Sequence, residues 1–160
     1  MEENRLEKLR ENCELTKKAL ARKLGVSDSI YVRWESGKDI IPTRRLYELS
    51  NIYKVNIDYI LGLTNDKIEL ESNPEINLKD VSLRIREIRN DFNESLRIFS
   101  KRLNTSNSTW SAYETGKVLI LCAFLIEVCK FGNYSADWIL CRSNEKYTHQ
   151  SKPKKQFIHA

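Results

Sequence analysis

The stretch LARKLGVSDSIYVRWESGK (20–38) decides the fold. Leu20, Ala21 and Leu24 recur at helical spacing, and Gly25 stands where that helix needs a left-handed exit. Ser27 is placed to cap a following helix that runs to Ser36 and stops at Gly37. The small Ala21 lets the two helices cross closely, and Val26 offers an apolar anchor at the corner. At about 100° per residue, Ile30, Tyr31 and Trp34 share one side of the later helix, the expected core side. Asp28, Ser29, Val32 and Arg33 share the other, which is expected to face outward.

Outward from this corner the pattern stays helical. Leu6, Leu9 and Cys13 predict an opening helix near 3–12, and Thr16 can cap the helix that carries Leu20. After Pro42, Thr43 can cap a fourth helix with Leu46, Leu49 and Tyr53. Asn56 can cap a last turn holding Ile57, Ile60 and Leu61.

The same plan then returns. Sliding the chain by 79 residues aligns 5–62 with 84–141 without a gap. Identities include Arg5/Arg84, Arg10/Arg89, Leu24/Leu103, Ser27/Ser106, Glu35/Glu114, Gly37/Gly116, Lys38/Lys117 and Asp58/Asp137. Trp34/Tyr113 and Tyr31/Trp110 are conservative matches. Asn77, Ser95, Ser106 and Ser135 stand at the helix starts, and Asn104 replaces Gly25, which suits a left-handed cap. Two copies are too few for a solenoid, so the expectation is all-α, with two tandem five-helix domains. Their bounds are 1–63 and 77–142, the second divergent. The acidic, Pro74-containing 64–76 reads as a linker, and 143–160 as a basic tail.

Composition narrows the function. The chain has 160 residues and a net charge of +5. Residues 1–66 carry +1, 67–82 carry −2 and 83–160 carry +6. A basic excess suits a polyanion but also suits solvated surfaces. No apolar stretch approaches the about 18 residues that span a bilayer, and MEENRLEKLR lacks the makeup of a secretion signal, so no membrane partner and a cytoplasmic, nucleoid-associated location are expected. Cys13, Cys122, Cys129 and Cys141 form no C-x-x-C pair; small buried thiols explain them better than a zinc or redox site, and no metal or cofactor is expected. His149 and His159 are the only histidines, and no phosphate-cradling glycine motif or nucleophile elbow occurs, which argues against an enzyme.

Residues LTKKALARKLGVSDSIYVRWESGKDIIP, followed by LYELSNIYKVNIDYILG, resemble the Cro and phage-repressor (XRE-like) helix-turn-helix family over nearly all of 5–62. NTSNSTWSAYETGK followed by SADWIL is similar to the same family, which extends the resemblance over most of 5–141. It implies a five-helix fold, the third helix in the DNA major groove and binding as a symmetric homodimer, the properties of a DNA-binding transcriptional regulator or repressor. It also implies phosphate or base contacts for Lys17, Asp28, Ser29 and Arg33. Arg10 with Glu35, and Arg89 with Glu114, stand where some members carry a structural ion pair.

The candidate DNA-binding set is therefore Thr16, Lys17, Ser27, Asp28, Ser29, Val32, Arg33 and Lys38 in the first copy. In the second it is Ser95, Lys101, Ser106, Asn107, Ser108, Ser111 and Lys117. Arg33 is the best base reader, since a guanidinium can engage guanine O6 and N7 together. Asp28 either contacts DNA or only favours the positive end of its helix. The second copy offers no cation on its groove face; Asn107 either pairs with adenine or is simply solvated, while Lys101, Arg102 and Lys117 can hold phosphates. Trp34, Trp110 and Trp138 are expected in the core. The run VLILCAFLIEVCKF (118–131) is either central to the core or an apolar patch for self-association around Leu119–Cys129. Lys152, Lys154 and Lys155 of the tail either track phosphates or belong to a disordered end. The rival function is a protein-interaction or dimerisation module in which the second copy, or both, leaves DNA alone.

Overall fold

The computed structural model describes residues 4–148, which fold into ten helices; no strand occurs among the described residues. The first five are α1 (Leu6–Asn12), α2 (Lys17–Leu24), α3 (Asp28–Glu35), α4 (Thr43–Tyr53) and α5 (Ile57–Ile60). The next five are α6 (Leu78–Asp91), α7 (Leu96–Arg102), α8 (Asn107–Glu114), α9 (Cys122–Gly132) and α10 (Ala136–Ile139). No described helix is long and apolar enough to cross a membrane.

Local chemistry accounts for most helix ends. Thr16, Ser27, Asn77, Ser95, Ser106 and Ser135 each accept a backbone N–H of the helix they precede. Gly25 ends α2 at φ +68°, and Asn104 takes the same left-handed form at φ +52° after α7. In both turns an N–H closes back over the helix end, from Val26 to Ala21 and from Thr105 to Ser100, each at 3.0 Å.

Two expected caps fail. Pro42, not Thr43, holds the N-cap of α4, and the buried Thr43 hydroxyl donates instead to the Ile120 carbonyl of the second half at 2.6 Å. Asn56 sits at the N-cap of α5, but its amide serves Ile68 N–H and the Asp66 carbonyl. The α5 N–H groups are taken by Asp137, 2.7 Å from Ile57 N and 3.0 Å from Asp58 N. Asp58 returns the arrangement, accepting from Ala136 N at 2.6 Å and Ser135 Oγ at 2.5 Å.

The scaffold of each half repeats at the 79-residue offset. Arg5 donates to the carbonyls of Tyr59 and Thr64 and lies 4.2 Å over the Tyr59 ring. Arg84 does the same with Trp138 and Ser143, at 5.2 Å over the Trp138 ring. Arg10 grips Glu35 through Nε and Nη2 and the Leu15 carbonyl through Nη1. Arg89 grips Glu114 and the Glu94 carbonyl in the same way. These are the ion pairs expected of the scaffold. Residues 64–76 are fastened along the first half, with Ile68 and Leu70 bonded to the backbone of Asn56 and Lys54.

The buried side chains of the halves form one continuous core, and α5 packs on α10. Trp34, Trp110 and Trp138 lie in it as expected. Ile30 does not; it is 44% exposed, because it falls at the edge of the α3 inner face set by Tyr31 and Trp34. Cys13 is exposed rather than buried, since it caps the end of α1 beyond its last covered turn; Cys122 and Cys129 are buried as expected. In the apolar run, Cys122, Leu125, Val128 and Cys129 turn into the core, while Val118, Leu121 and Phe131 stay exposed.

Candidate nucleic-acid interface

The α2–α3 corner holds α3 by its inner face only. Tyr31 and Trp34 are buried and meet edge to face, with ring centroids 6.4 Å apart. From the buried side, Arg10 reaches Glu35 at the last turn of α3. Asp28, Ser29, Val32 and Arg33 then face solvent, and Thr16, Lys17, Ser27 and Lys38 are exposed around them. Thr16 and Ser27 are occupied as caps, and the Ser27 hydroxyl also pairs with that of Ser29 at 3.2 Å. Lys17 and Lys38 take no ion pair among the described residues.

Arg33 is outward but not free. Its Nε and Nη2 donate to Asp39 at 2.5 and 2.8 Å, both side chains remaining about half exposed. Asp39 is brought back by the Gly37 turn, where its N–H bonds the Arg33 carbonyl at 3.2 Å. A guanidinium has five N–H groups. The Asp39 fork uses Nε–H and one hydrogen on Nη2, so one hydrogen on Nη1 and the second on Nη2 point forward from the end of the side chain, while the other Nη1 hydrogen faces the Cδ side. That end can still span the two acceptors of a guanine edge. The hydrogen bond to Arg33 holds the Asp39 carboxyl below its ordinary range, so the buttress stays ionised near neutrality. Sequence reasoning missed Asp39; its spacing of six from Arg33 across a glycine turn was the available signal.

The second half keeps the frame and changes the face. Trp110 and Tyr113 are buried under α8, and Asn107 and Ser108 are exposed. Ser111 and the neighbouring Ala112 are half-buried. The positions of Arg33 and Asp39 are taken by Ala112 and Val118, joined by the same backbone bond, Val118 N to Ala112 O at 3.4 Å. Asn107 is fastened by its Oδ1 to the Ser100 hydroxyl at 2.6 Å, where the first half has Ala21. One lone pair of that oxygen is thus engaged, which leaves the other lone pair and the Nδ2 hydrogens for adenine. Ser95 and Ser106 are caps; Lys101 and Lys117 are exposed, without an ion pair among the described residues. Arg102 is held by Glu94 and lies over Phe92. The tail lysines Lys152, Lys154 and Lys155 lie outside the described residues.

Comparison with known proteins finds its matches in the first half. Residues 6–60 match the helix-turn-helix family HTH_3. Among curated proteins, the uncharacterized HTH-type transcriptional regulator YobD of Bacillus subtilis (strain 168) is 42% identical over 62 residues, covering 39% of this chain and 55% of the relative. YqaE, described in the same words and from the same organism, is 36% identical over 64 residues, with the same two shares. The chain thus spans about half the length of the curated relatives it matches. No solved structure matches the chain significantly. Residues 6–60 are a helix-turn-helix domain related to HTH-type regulators.

Proposed function

We propose that this chain is a sequence-specific double-stranded DNA-binding regulator of transcription that lays α3 in the major groove. The observation that carries the reading is the buttressed Arg33, presented on the solvent face of a helix whose other face is locked to the core. Lys17 and Lys38, exposed and unpaired among the described residues, flank that face and suit phosphates. The description of both relatives as transcriptional regulators supports regulation as the purpose of binding. A cytoplasmic location follows from that role.

The test is a set of titrations on a duplex selected from random sequence and on a scrambled one. Arg33→Ala is expected to cost roughly 1–3 kcal/mol on the selected duplex and to relax preference at one base pair. Lys17→Ala weakens both duplexes alike and lowers the salt slope by about one. Thermal melting of either variant should match the parent, because both side chains are exposed. An Arg33→Ala protein that binds every duplex as the parent does removes the groove-reading role. A parent without salt-dependent binding to any duplex leaves a protein-interaction module instead.

Asp39→Ala separates positioning from charge. Removing a carboxylate near phosphates should raise affinity for the scrambled duplex, while freeing Arg33 should lower it on the selected one. Affinity that rises equally on both duplexes would show that Asp39 does nothing for Arg33.

A further inference from the structure

The geometry points to a built-in dimer: one copy of this chain carries both groove helices, α3 and α8, and its DNA site is two unlike half-sites. The inference rests on the α3 reading above and extends it to the second half.

Three observations carry it. The first is reciprocity. Asp58 caps the start of α10 while Asp137 caps the start of α5, and these two aspartates occupy equivalent places in the 79-residue repeat. A contact in which residue i meets j while j meets i is the mark of a two-fold, self-complementary interface. Here both sides belong to one chain. Thr43, at the start of α4, adds a bond to the Ile120 carbonyl just before α9. The start of α4 and the loop that follows α8 therefore also meet across the halves.

The second is occupancy. Helix-turn-helix proteins gain affinity by pairing two recognition helices on half-sites about 34–36 Å apart. The surface used for a reciprocal pairing of α5 is already filled by α10, in a continuous core and with the Arg142 side chain buried beside Asp137. A second copy cannot take that place without unfolding the seam. Covalent linkage also supplies the pairing at any protein concentration.

The third is the pattern of what the second half keeps. The Arg89–Glu114 pair, the Ser95 and Ser106 caps, the left-handed Asn104 and the buried Trp110 all hold α8 as their counterparts hold α3. Inside the frame Ser100 replaces Ala21, and the larger change is on the outward face. Asp28, Ser29, Val32 and Arg33 become Asn107, Ser108, Ser111 and Ala112, with Arg97, Lys101 and Asn104 beside a shallow groove at the start of α8. A frame retained under a changed face serves a helix that still docks but meets other bases. The α3 half-site is read through a guanidinium. The α8 half-site is held mainly through phosphates and short neutral side chains.

The experiment uses the full chain on its selected duplex. Native mass spectrometry or sedimentation counts chains per duplex, and phosphate-ethylation interference maps the contacts. The expected result is one chain per duplex, a non-palindromic site, and two clusters of interfering phosphates about one helical turn apart on one face. The Lys101→Ala/Lys117→Ala variant changes only exposed side chains. It should melt with the parent, erase one phosphate cluster, and lose on the order of 10–30-fold in affinity near 0.15 M salt. Arg33→Ala should alter base preference only under the other cluster. Two chains on a palindrome, or one chain with a single cluster, would overturn the built-in dimer while leaving α3 as a groove helix. Failure to bind any duplex at low salt would instead remove the α3 reading itself.

Discussion

Asp137→Ala is expected to cost about 3–5 kcal/mol of unfolding free energy, measured by urea denaturation at pH 7. Asp137 is 2% exposed and accepts the first N–H groups of α5, which have no other cap. Its Oδ1 also lies 3.8 Å from Nε of Arg142, a side chain 1% exposed that holds Asn51 and sits over the Tyr47 ring. Truncation leaves orphaned donors and a buried cation without its counter-charge, and both penalties fall on the seam between the halves. A loss below about 1 kcal/mol would mean that water enters and α5 needs no partner. Asp58, facing it, behaves differently. Burial first, and then the Asp137 charge, push the Asp58 carboxyl up to about 8, against the pull of Ser135 and Ala136. The folded seam therefore holds a proton that the unfolded chain releases near its ordinary 3.8. The stability this contributes is complete below about pH 4 and is lost as pH rises through about 8, by up to about 1.4 kcal/mol per pH unit. Asp58→Asn copies the protonated shape and should flatten that decline between pH 5 and 8. A parent whose stability matches the variant's at every pH in that range would place the proton elsewhere.

The fold was legible because most helices carry their own punctuation. Ser and Thr at the helix starts, Gly25 and Asn104 at the turns, and the apolar spacing of Leu20, Leu24, Tyr31 and Trp34 are local signals, and local physics obeyed them. The failures share one cause. Thr43 and Asn56 look like caps by type and position, but each lies where another segment arrives, and the tertiary partner prevails. Nothing within about four residues of Asn56 announces that Asp137 will cap its helix from 80 residues away. The repeat did contain that information, since Asp58 and Asp137 align, yet alignment alone gives equivalence and not contact. Of the candidate site, the outward face of α3 was legible: it exposes the expected four side chains. Its chemistry was less so, because Asp39 on Arg33 and Ser100 on Asn107 depend on which way a loop and a helix turn.

Glu35→Ala is expected to be as costly as the seam variant, about 3–5 kcal/mol, and to take DNA binding with it. Glu35 and Arg10 have side-chain exposures of 4% and 10%, and they meet through two parallel N–H···O bonds, Nε to Oε2 at 3.0 Å and Nη2 to Oε1 at 2.8 Å. Arg10 also holds the Leu15 carbonyl at 2.9 Å, so one guanidinium joins α1, the turn into α2 and the last turn of α3. Burial works to raise the Glu35 carboxyl, but the Arg10 hydrogen bonds outweigh it and hold it below its ordinary range. The pair's contribution is thus present above about pH 4.5 and lost as pH falls through the lower folded value, opposite in sign to that of Asp58. Glu35→Gln keeps an acceptor for Arg10 and should cost less than the alanine variant at pH 7. Below the Glu35 titration it should match the parent, whose carboxyl is then also neutral. Melting curves at pH 3 and pH 7 for the three proteins would read this directly. If Glu35→Ala costs under about 1 kcal/mol at pH 7 while the proposed duplex binding persists, Arg10 finds water on release. In that case Tyr31 and Trp34 alone orient α3.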